Sequence, residues 1–341
     1  MNIKAIAFVG LLTLSAPASG AELYISAGKT IYDFNSSGQL ANSADVDTIN
    51  YTAEGLTVGP DNRLYAAIAF GNHRVDSFDL NLGSHFTGYV TNGQGGIFVP
   101  LGDAFGPDGN LYVASNYTNS IDRFYGPSAA VPGSNNPSPS NSGATWSSAL
   151  TGPVGVAFTP DGTLYASSQN GTGAIYTFNP TTGAAVSVAT SLGSSNVGQI
   201  AINAAGTALY VRDNNQILEF TIKPDHTLIA LGALPLSYAD AATLDSSYGL
   251  ALGPDGFLYA TTRSINGSLN PANNGDFVLK INPITGASVP FVQGNINGLT
   301  SAQNPAFLVF APVPEPGTFA LAVVGGVIGL GAWRRRRRCK G

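Results

Sequence analysis

One fourteen-residue pattern recurs along the chain and leaves few folds open to it. Residues 102–115 read Gly-Asp-Ala-Phe-Gly-Pro-Asp-Gly-Asn-Leu-Tyr-Val-Ala-Ser, and 55–67, 155–168 and 249–262 keep the same order of types. Residues 199–212 form a degraded copy that lacks the Pro-Asp pair. Each copy is an apolar strand, a tight turn, and a second strand that opens with Leu-Tyr. In Gly-Pro-Asp-Gly the proline ring presets φ at the second turn position, aspartate suits the third and glycine the fourth. The flanks are rich in Val, Leu, Phe and Tyr, as buried strands require. The turn aspartates Asp61, Asp108, Asp161 and Asp255 stand 47, 53 and 94 residues apart, the last interval spanning two units. A period of this size, with strand signals alone, points to a β-propeller rather than a helical solenoid.

The two ends of the chain set the blade count. Leu-Tyr occupies the same place in the pattern six times, at Tyr24, Tyr65, Tyr112, Tyr165, Tyr210 and Tyr259. The first has no apolar strand before it, and the last apolar strand, in 305–311, has no Leu-Tyr after it. The expected fold is therefore all-β, a six-bladed propeller over 22–311, closed by pairing the C-terminal strand with the first blade. Closure of this kind leaves no open sheet edge.

Blade 2 carries Gly71-Asn-His-Arg-Val-Asp-Ser-Phe-Asp79 after its Leu-Tyr strand. With that addition the chain resembles the NHL-repeat propellers, whose unit runs apolar strand, Pro-Asp-Gly turn, Leu-Tyr-Val strand, Asn-His-Arg and a Phe-Asp strand. The other blades keep the first half of the unit and not the Asn-His. The resemblance covers about 290 residues and implies the fold. The function it implies is a binding platform for varied ligands.

The termini give the address. Met1 to Lys4, the apolar run 5–14 and the small residues Ser19-Gly-Ala21 form a secretory signal peptide over 1–21, with signal peptidase as the expected partner. The tail, 312–341, contains Val-Pro-Glu-Pro-Gly-Thr at 313–318, an apolar run at 319–333 and five arginines at 334–338. This resembles the PEP-CTERM sorting signal of exopolysaccharide-producing Gram-negative bacteria. It implies processing by an exosortase near Pro314, Glu315 and Pro316, and delivery to the cell envelope or extracellular matrix. The 15-residue apolar run is shorter than the roughly 20 residues a comfortable span needs. It therefore suits a transient hold in the inner membrane, with the arginines on the cytoplasmic side.

Between these signals, residues 22–314 hold 8 Lys and Arg against 19 Asp and Glu, a net of −11. So acidic a body is no partner for nucleic acid, which needs a basic face. The single cysteine, Cys339, lies in the tail and excludes a disulfide framework and a thiol nucleophile. Residues 126–143 are a Pro, Ser and Asn tract that reads as a flexible surface loop, and 263–276 a second insertion.

Propellers of gluconolactonase type, the nearest enzymatic resemblance, hold a divalent metal at the central channel with a Glu, two Asn or Asp residues and a further Asp. Aligned on their turns, the inner strands here place Glu54, Leu101, Val154, Gly198, Tyr248 and Ala306 at that ring. Glu54 alone matches, with Asp103 two positions further in. Four or more oxygens are needed for Ca²⁺, so the expectation is no cofactor, with Ca²⁺ or another divalent ion at Glu54 and Asp103 as the alternative. The histidines His73, His85 and His226 fall in separate places with no nucleophile beside them, so no catalytic residue is assigned. What remains is the loops joining second to third strands, with Asn72, His73, Arg74, Tyr117, Asn119, Asn170, Asn214 and Arg263 as candidate ligand-binding residues. Amides both donate and accept hydrogen bonds, which suits hydroxyl-rich ligands. The sequence therefore points to a secreted, non-catalytic binding module for exopolysaccharide or a surface protein. A metal-dependent lactonase- or lyase-like hydrolase and a purely structural matrix protein are the alternatives.

Overall fold

In a computed structural model, residues 21–46, 52–148, 150–169, 171–236, 247–262, 278–292 and 305–311 are described. Residues 1–20 of the signal segment, the sorting tail and the insertion 263–276 lie outside them. Six four-stranded antiparallel sheets follow one another around an axis. Counted outward from the axis, blade 1 is β24 (Pro305–Phe310), β1 (Leu23–Ala27), β2 (Thr30–Phe34) and β3 (Leu40–Asp45). Blade 2 is β4 (Thr52–Val58), β5 (Arg63–Phe70), β6 (Arg74–Asp79) and β7 (His85–Val90). Blade 3 is β8 (Pro100–Phe105), β9 (Leu111–Ser115), β10 (Ser120–Phe124) and β11 (Thr145–Ser147). Blade 4 is β12 (Pro153–Phe158), β13 (Leu164–Ser168), β14 (Ala174–Phe178) and β15 (Ala185–Thr190). Blade 5 is β16 (Val197–Ile202), β17 (Ala208–Asp213), β18 (Gln216–Ile222) and β19 (Leu228–Ala233). Blade 6 is β20 (Leu250–Leu252), β21 (Leu258–Thr261), β22 (Val278–Ile281) and β23 (Ser288–Val292).

The ring closes as the sequence predicts. β24 pairs antiparallel with β1, Leu23 opposite Phe310 and Ile25 opposite Leu308. Inner strands pack on inner strands all the way round, and β24 comes back against β4. Apolar side chains fill each of the six seams between blades, for example Leu64, Phe78, Tyr24 and Ile31 between blades 1 and 2. A seventh cluster, Ala69, Val99, Leu101, Val154 and Phe307, sits on the axis.

Four inner strands, in blades 2 to 5, close on their neighbours through the same irregularity. The ladder skips two residues between Ala53 and Leu56, Pro100 and Asp103, Pro153 and Val156, and Val197 and Ile200. In three of these bulges the second skipped residue is glycine, at Gly55, Gly102 and Gly155. A Cβ on Gly55 would lie 2.0 Å from the Leu101 carbonyl oxygen, and one on Gly102 2.4 Å from that of Val154. The backbones approach too closely for any side chain in that direction. Hydroxyls on the second strands stitch the bulges together. Ser26 Oγ accepts the Phe307 N–H at 3.0 Å and donates to the Glu54 carbonyl of the next blade at 2.6 Å. Ser167 likewise accepts the Gly155 N–H and donates to the Gly198 carbonyl.

The repeated turn works with the repeated tyrosine. Asp61 Oδ1 accepts the Arg63 N–H, and its Oδ2 accepts the Tyr65 hydroxyl at 2.9 Å. Asp108 holds Tyr112 and Asp255 holds Tyr259 in the same way. In blade 4 the Tyr165 hydroxyl turns to the His226 carbonyl instead. The turn aspartates therefore recur because they anchor the second strand. Tyr65→Phe is expected to cost about 1 kcal/mol and Asp61→Ala about 1.5–3 kcal/mol. The double variant should cost less than the sum in a urea-unfolding cycle. Strict additivity would mean that the pair is not coupled.

The tract 126–143 differs from its sequence reading as a free loop. The Gly133 N–H donates to the Tyr125 carbonyl, the Asn136 N–H to that of Arg123, and the Ala144 N–H to that of Gly95. Arg123 Nε donates to the Asn136 carbonyl at 2.7 Å. Backbone pairing replaces the missing apolar contacts and ties the tract to blades 2 and 3.

Candidate functional site

Antiparallel blades whose inner strands run alike bring every connection from second to third strand onto one face. On it Phe98 is 44% and Tyr117 64% exposed, with ring centroids 5.9 Å apart. The His73 ring lies 4.0 Å from that of Phe98. Its Nδ1 is 2.8 Å from the Ala69 carbonyl oxygen and within 3.2 Å of the Val99 amide nitrogen. Phe70, also exposed, ends β5 on the same side. Val99 has φ +51°, a left-handed conformation that is strained for a β-branched residue. The Asn116 N–H, donating to its carbonyl at 3.1 Å, helps to hold it there. Strain of this sort persists where the surroundings impose it, and it clusters at functional places.

The structure distributes the predicted site residues unevenly. His73 and Tyr117 join the aromatic row. Asn72 is half-buried near it. Asn119, at φ +57°, accepts the Gly152 N–H at 2.8 Å, so its side chain braces the loop against blade 4. Asn214 adopts φ +53° in the turn between β17 and β18, and its carbonyl side chain faces Asn196. Asn170 and Arg263 lie outside the described residues, as do Pro314, Glu315 and Pro316. Arg74 is a different case. It is the first residue of β6, only 5% exposed, and it grips Asp76 through Nε at 2.8 Å and Nη2 at 2.8 Å. His85 Nε2 approaches the same carboxylate at 3.1 Å, and the Gly88 N–H donates to it at 2.7 Å. These partners outweigh burial and hold the Asp76 carboxyl below the usual carboxylate range. Arg74 thus serves the interior of blade 2 rather than the loop face. Phe98 and Val99 were not among the sequence candidates, because 96–100 reads as an ordinary apolar run before a strand.

The central ring is apolar. Leu101 and Val154 are buried there, with Tyr248 and Ala306 packed against the plug. Within it, burial pushes the Glu54 carboxyl up to about 7, and burial raises that of Asp103 well above the carboxylate range. Neither Asp103 oxygen meets a hydrogen-bond partner among the described residues. A Cβ built on Gly55 would touch Asp103 Oδ1 at 2.7 Å, which places the carboxyl beside the Glu54–Gly55 bulge. Two carboxylates among Leu, Val, Gly, Tyr and Ala do not make the oxygen cage of a Ca²⁺ site. No group of three or more potential metal ligands occurs among the described residues.

Comparison with known proteins bears on the tail and on the fold. The family described as the PEP-CTERM protein-sorting motif matches residues 312–337. No curated protein matches the chain. Among solved structures, a protein of unknown function from Bacteroides caccae superposes with a TM-score of 0.56 at 11% identity, covering 86% of this chain and 99% of its own. A functionally unknown protein from Desulfotomaculum acetoxidans gives 0.53 at 14%, covering 88% and 92%. A putative gluconolactonase gives 0.50 at 15%, covering 71% and 78%. Identities this low speak for the fold alone. The chain is a six-bladed propeller, a fold it shares with the putative gluconolactonase, and it carries a PEP-CTERM sorting motif at 312–337. That motif marks it for export and for sorting by an exosortase at its C-terminal end.

Proposed function

We propose that this exported propeller is a non-catalytic binding module, with exopolysaccharide as its ligand and the loop face as its site. The observation that supports it best is the exposed row of His73, Phe98 and Tyr117 beside the strained Val99. Exposed aromatics offer flat apolar area at small entropic cost and stack on the C–H faces of sugar rings, while neighbouring amides answer hydroxyls. A cell-surface address, which the sorting motif supports, would put the protein where such polymers accumulate. A surface protein is the other occupant this face would suit.

The test is retention of the purified exported protein on the producing organism's own exopolysaccharide. Saturable binding, weakened at least tenfold by Phe98→Ala with Tyr117→Ala, is the expected result; tenfold corresponds to about 1.4 kcal/mol. Binding that the double variant leaves unchanged would remove the loop face from consideration. A second reading, lactone hydrolysis at the channel, has one observation in its favour. Burial pushes the Glu54 carboxyl up to about 7, the range where a general base is most useful. Tight Ca²⁺ uptake together with lactone turnover abolished by Glu54→Gln would favour it.

A further inference from the structure

The aromatic row of the loop face is tied to a buried carboxyl by a line of hydroxyl groups. Ser115 Oγ, at the end of β9, holds both polar groups of the Phe98 backbone. It accepts the N–H at 2.9 Å and donates to the carbonyl at 3.3 Å. Thr118 Oγ1 stands 2.5 Å from Ser115 Oγ and 2.9 Å from Ser120 Oγ. Ser120 Oγ in turn stands 2.9 Å from Asp122 Oδ1. Ser115, Ser120 and Asp122 are buried, while Thr118 is exposed beside Tyr117. The strands bring these groups together, since Ser120 pairs with Ser115 and Asp122 lies two positions along β10, on the same face. Phe98 and the loop that carries Tyr117 therefore hang on one line that ends inside blade 3.

Counting hydrogens gives the line a direction. Its four links run from Asp122 to Ser120, to Thr118, to Ser115 and to the Phe98 carbonyl. Each link needs one hydrogen, and the three hydroxyls bring only three. A protonated Asp122 supplies the fourth, and every group then donates one step toward Phe98. An ionised Asp122 takes the Ser120 hydrogen, so one link further along becomes two lone pairs face to face. Ser115 stands near enough to the carboxylate to be drawn from Phe98 as well. Asp122 Oδ2 meets no hydrogen-bond partner among the described residues. Burial outweighs the pull of the nearby Ser120, Ser115 and Thr145 hydroxyls and pushes the carboxyl up to about 6.

We infer that Asp122 is a positioning residue of the loop-face site. With its proton on, the line is complete and fixes Phe98 and Tyr117 for binding; with the proton off, the line loosens. This rests on the reading of the loop face as the polysaccharide site. Few other titrating groups face Asp122. Asp103 shares its face of blade 3, because Val113 pairs with Asp103 on one side and with Asp122 on the other. Tyr65 and Tyr89 pack across the seam in the same cluster as Val113, and burial raises both phenols above their usual range. His73 rests on Phe98.

Full-length exported protein is compared with Asp122→Asn between about pH 5 and about pH 8. The amide donates to Ser120 at every pH, as the protonated acid does. Retention on the producing organism's own exopolysaccharide should be alike for the two at about pH 5. At about pH 8 the wild type should bind roughly three- to tenfold more weakly than Asp122→Asn, the worth of about one hydrogen bond. Taking the ratio at each pH cancels the titration of the polymer, of His73 and of Asp103. Amide hydrogen exchange reads the clamp without the polymer. The Phe98 N–H should exchange roughly three- to tenfold faster in the wild type than in Asp122→Asn at about pH 8, and at the same rate at about pH 5. Ser120→Ala, which cuts the line and keeps the carboxyl, should exchange faster than wild type at about pH 5 and equally at about pH 8. Exchange ratios that stay flat across this range would overturn the inference, as would wild-type retention that keeps pace with Asp122→Asn at every pH. If no form retains the polymer, the binding reading falls, and the exchange ratios alone uphold or overturn the positioning role of Asp122.

Discussion

Phe307→Ala is expected to destabilise the propeller by about 3–5 kcal/mol, the range for emptying a large aromatic from a packed core. Phe307 is fully buried in the axial plug, against Val99, Leu101 and Val154, with the Tyr248 ring 6.2 Å away. It belongs to the strand that closes the ring, and its amide is held by Ser26. The cavity would therefore open where inner strands from several blades converge, and those strands are pinned by backbone contacts at the bulges, so little collapse can fill it. Phe310→Ala is the comparison: that ring is half-buried and packs edge-on against Tyr259. Urea unfolding at unchanged m-value should rank Phe307→Ala well below Phe310→Ala in stability. Equal losses would show that the plug adds nothing beyond ordinary seam packing.

Asp103→Leu is expected to stabilise the protein at neutral pH by about 1–3 kcal/mol, the penalty of a buried polar group that no hydrogen bond answers. The chain itself supplies the precedent. The residue that resumes the ladder after each bulge is Leu56, Val156 and Ile200 in three other blades, and Asp103 in blade 3. Burial raises the folded pKa of Asp103 above its unfolded value, as it does for Glu54. A group shifted in this direction contributes fully below its unfolded pKa and loses that contribution as pH rises through the folded one. The wild type should therefore gain stability as pH falls from above 7 toward about 4.5. Asp76, shifted the other way, loses its contribution only in stronger acid. Asp103→Leu should flatten the upper part of the profile and leave the acid limb alone. A variant less stable than wild type at pH 7 would mean that the carboxyl has a partner in solution.

The fold was legible because the information is local and repeated. Pro-Asp-Gly turns, Leu-Tyr strands and an unpaired strand at each end together specify six hairpin-built sheets and their closure. The site was less legible, for reasons that differ residue by residue. Arg74 sits in an amide-rich stretch that reads as a turn, yet Arg74 and Asp76 are two apart, and on a strand that spacing puts both on one side. The buried pair could have been anticipated from this. The left-handed backbone of Val99, and with it the outward turn of Phe98, has no such signature. It is imposed by His73 and Asn116, which come from other parts of the chain.

The hydrogen bond between Phe307 and Ser26 spans 281 positions. In order of synthesis, the strand that completes blade 1 is made last, after every other strand of the propeller. Until residue 310 has left the ribosome, β1 lacks its inner neighbour and the axial cluster lacks Phe307. Contacts this distant in sequence form late and slowly. An exported chain gains from the delay, because passage through a translocation channel requires a polypeptide that has not yet locked. The topology thus leaves the ring open until its last strand has been made.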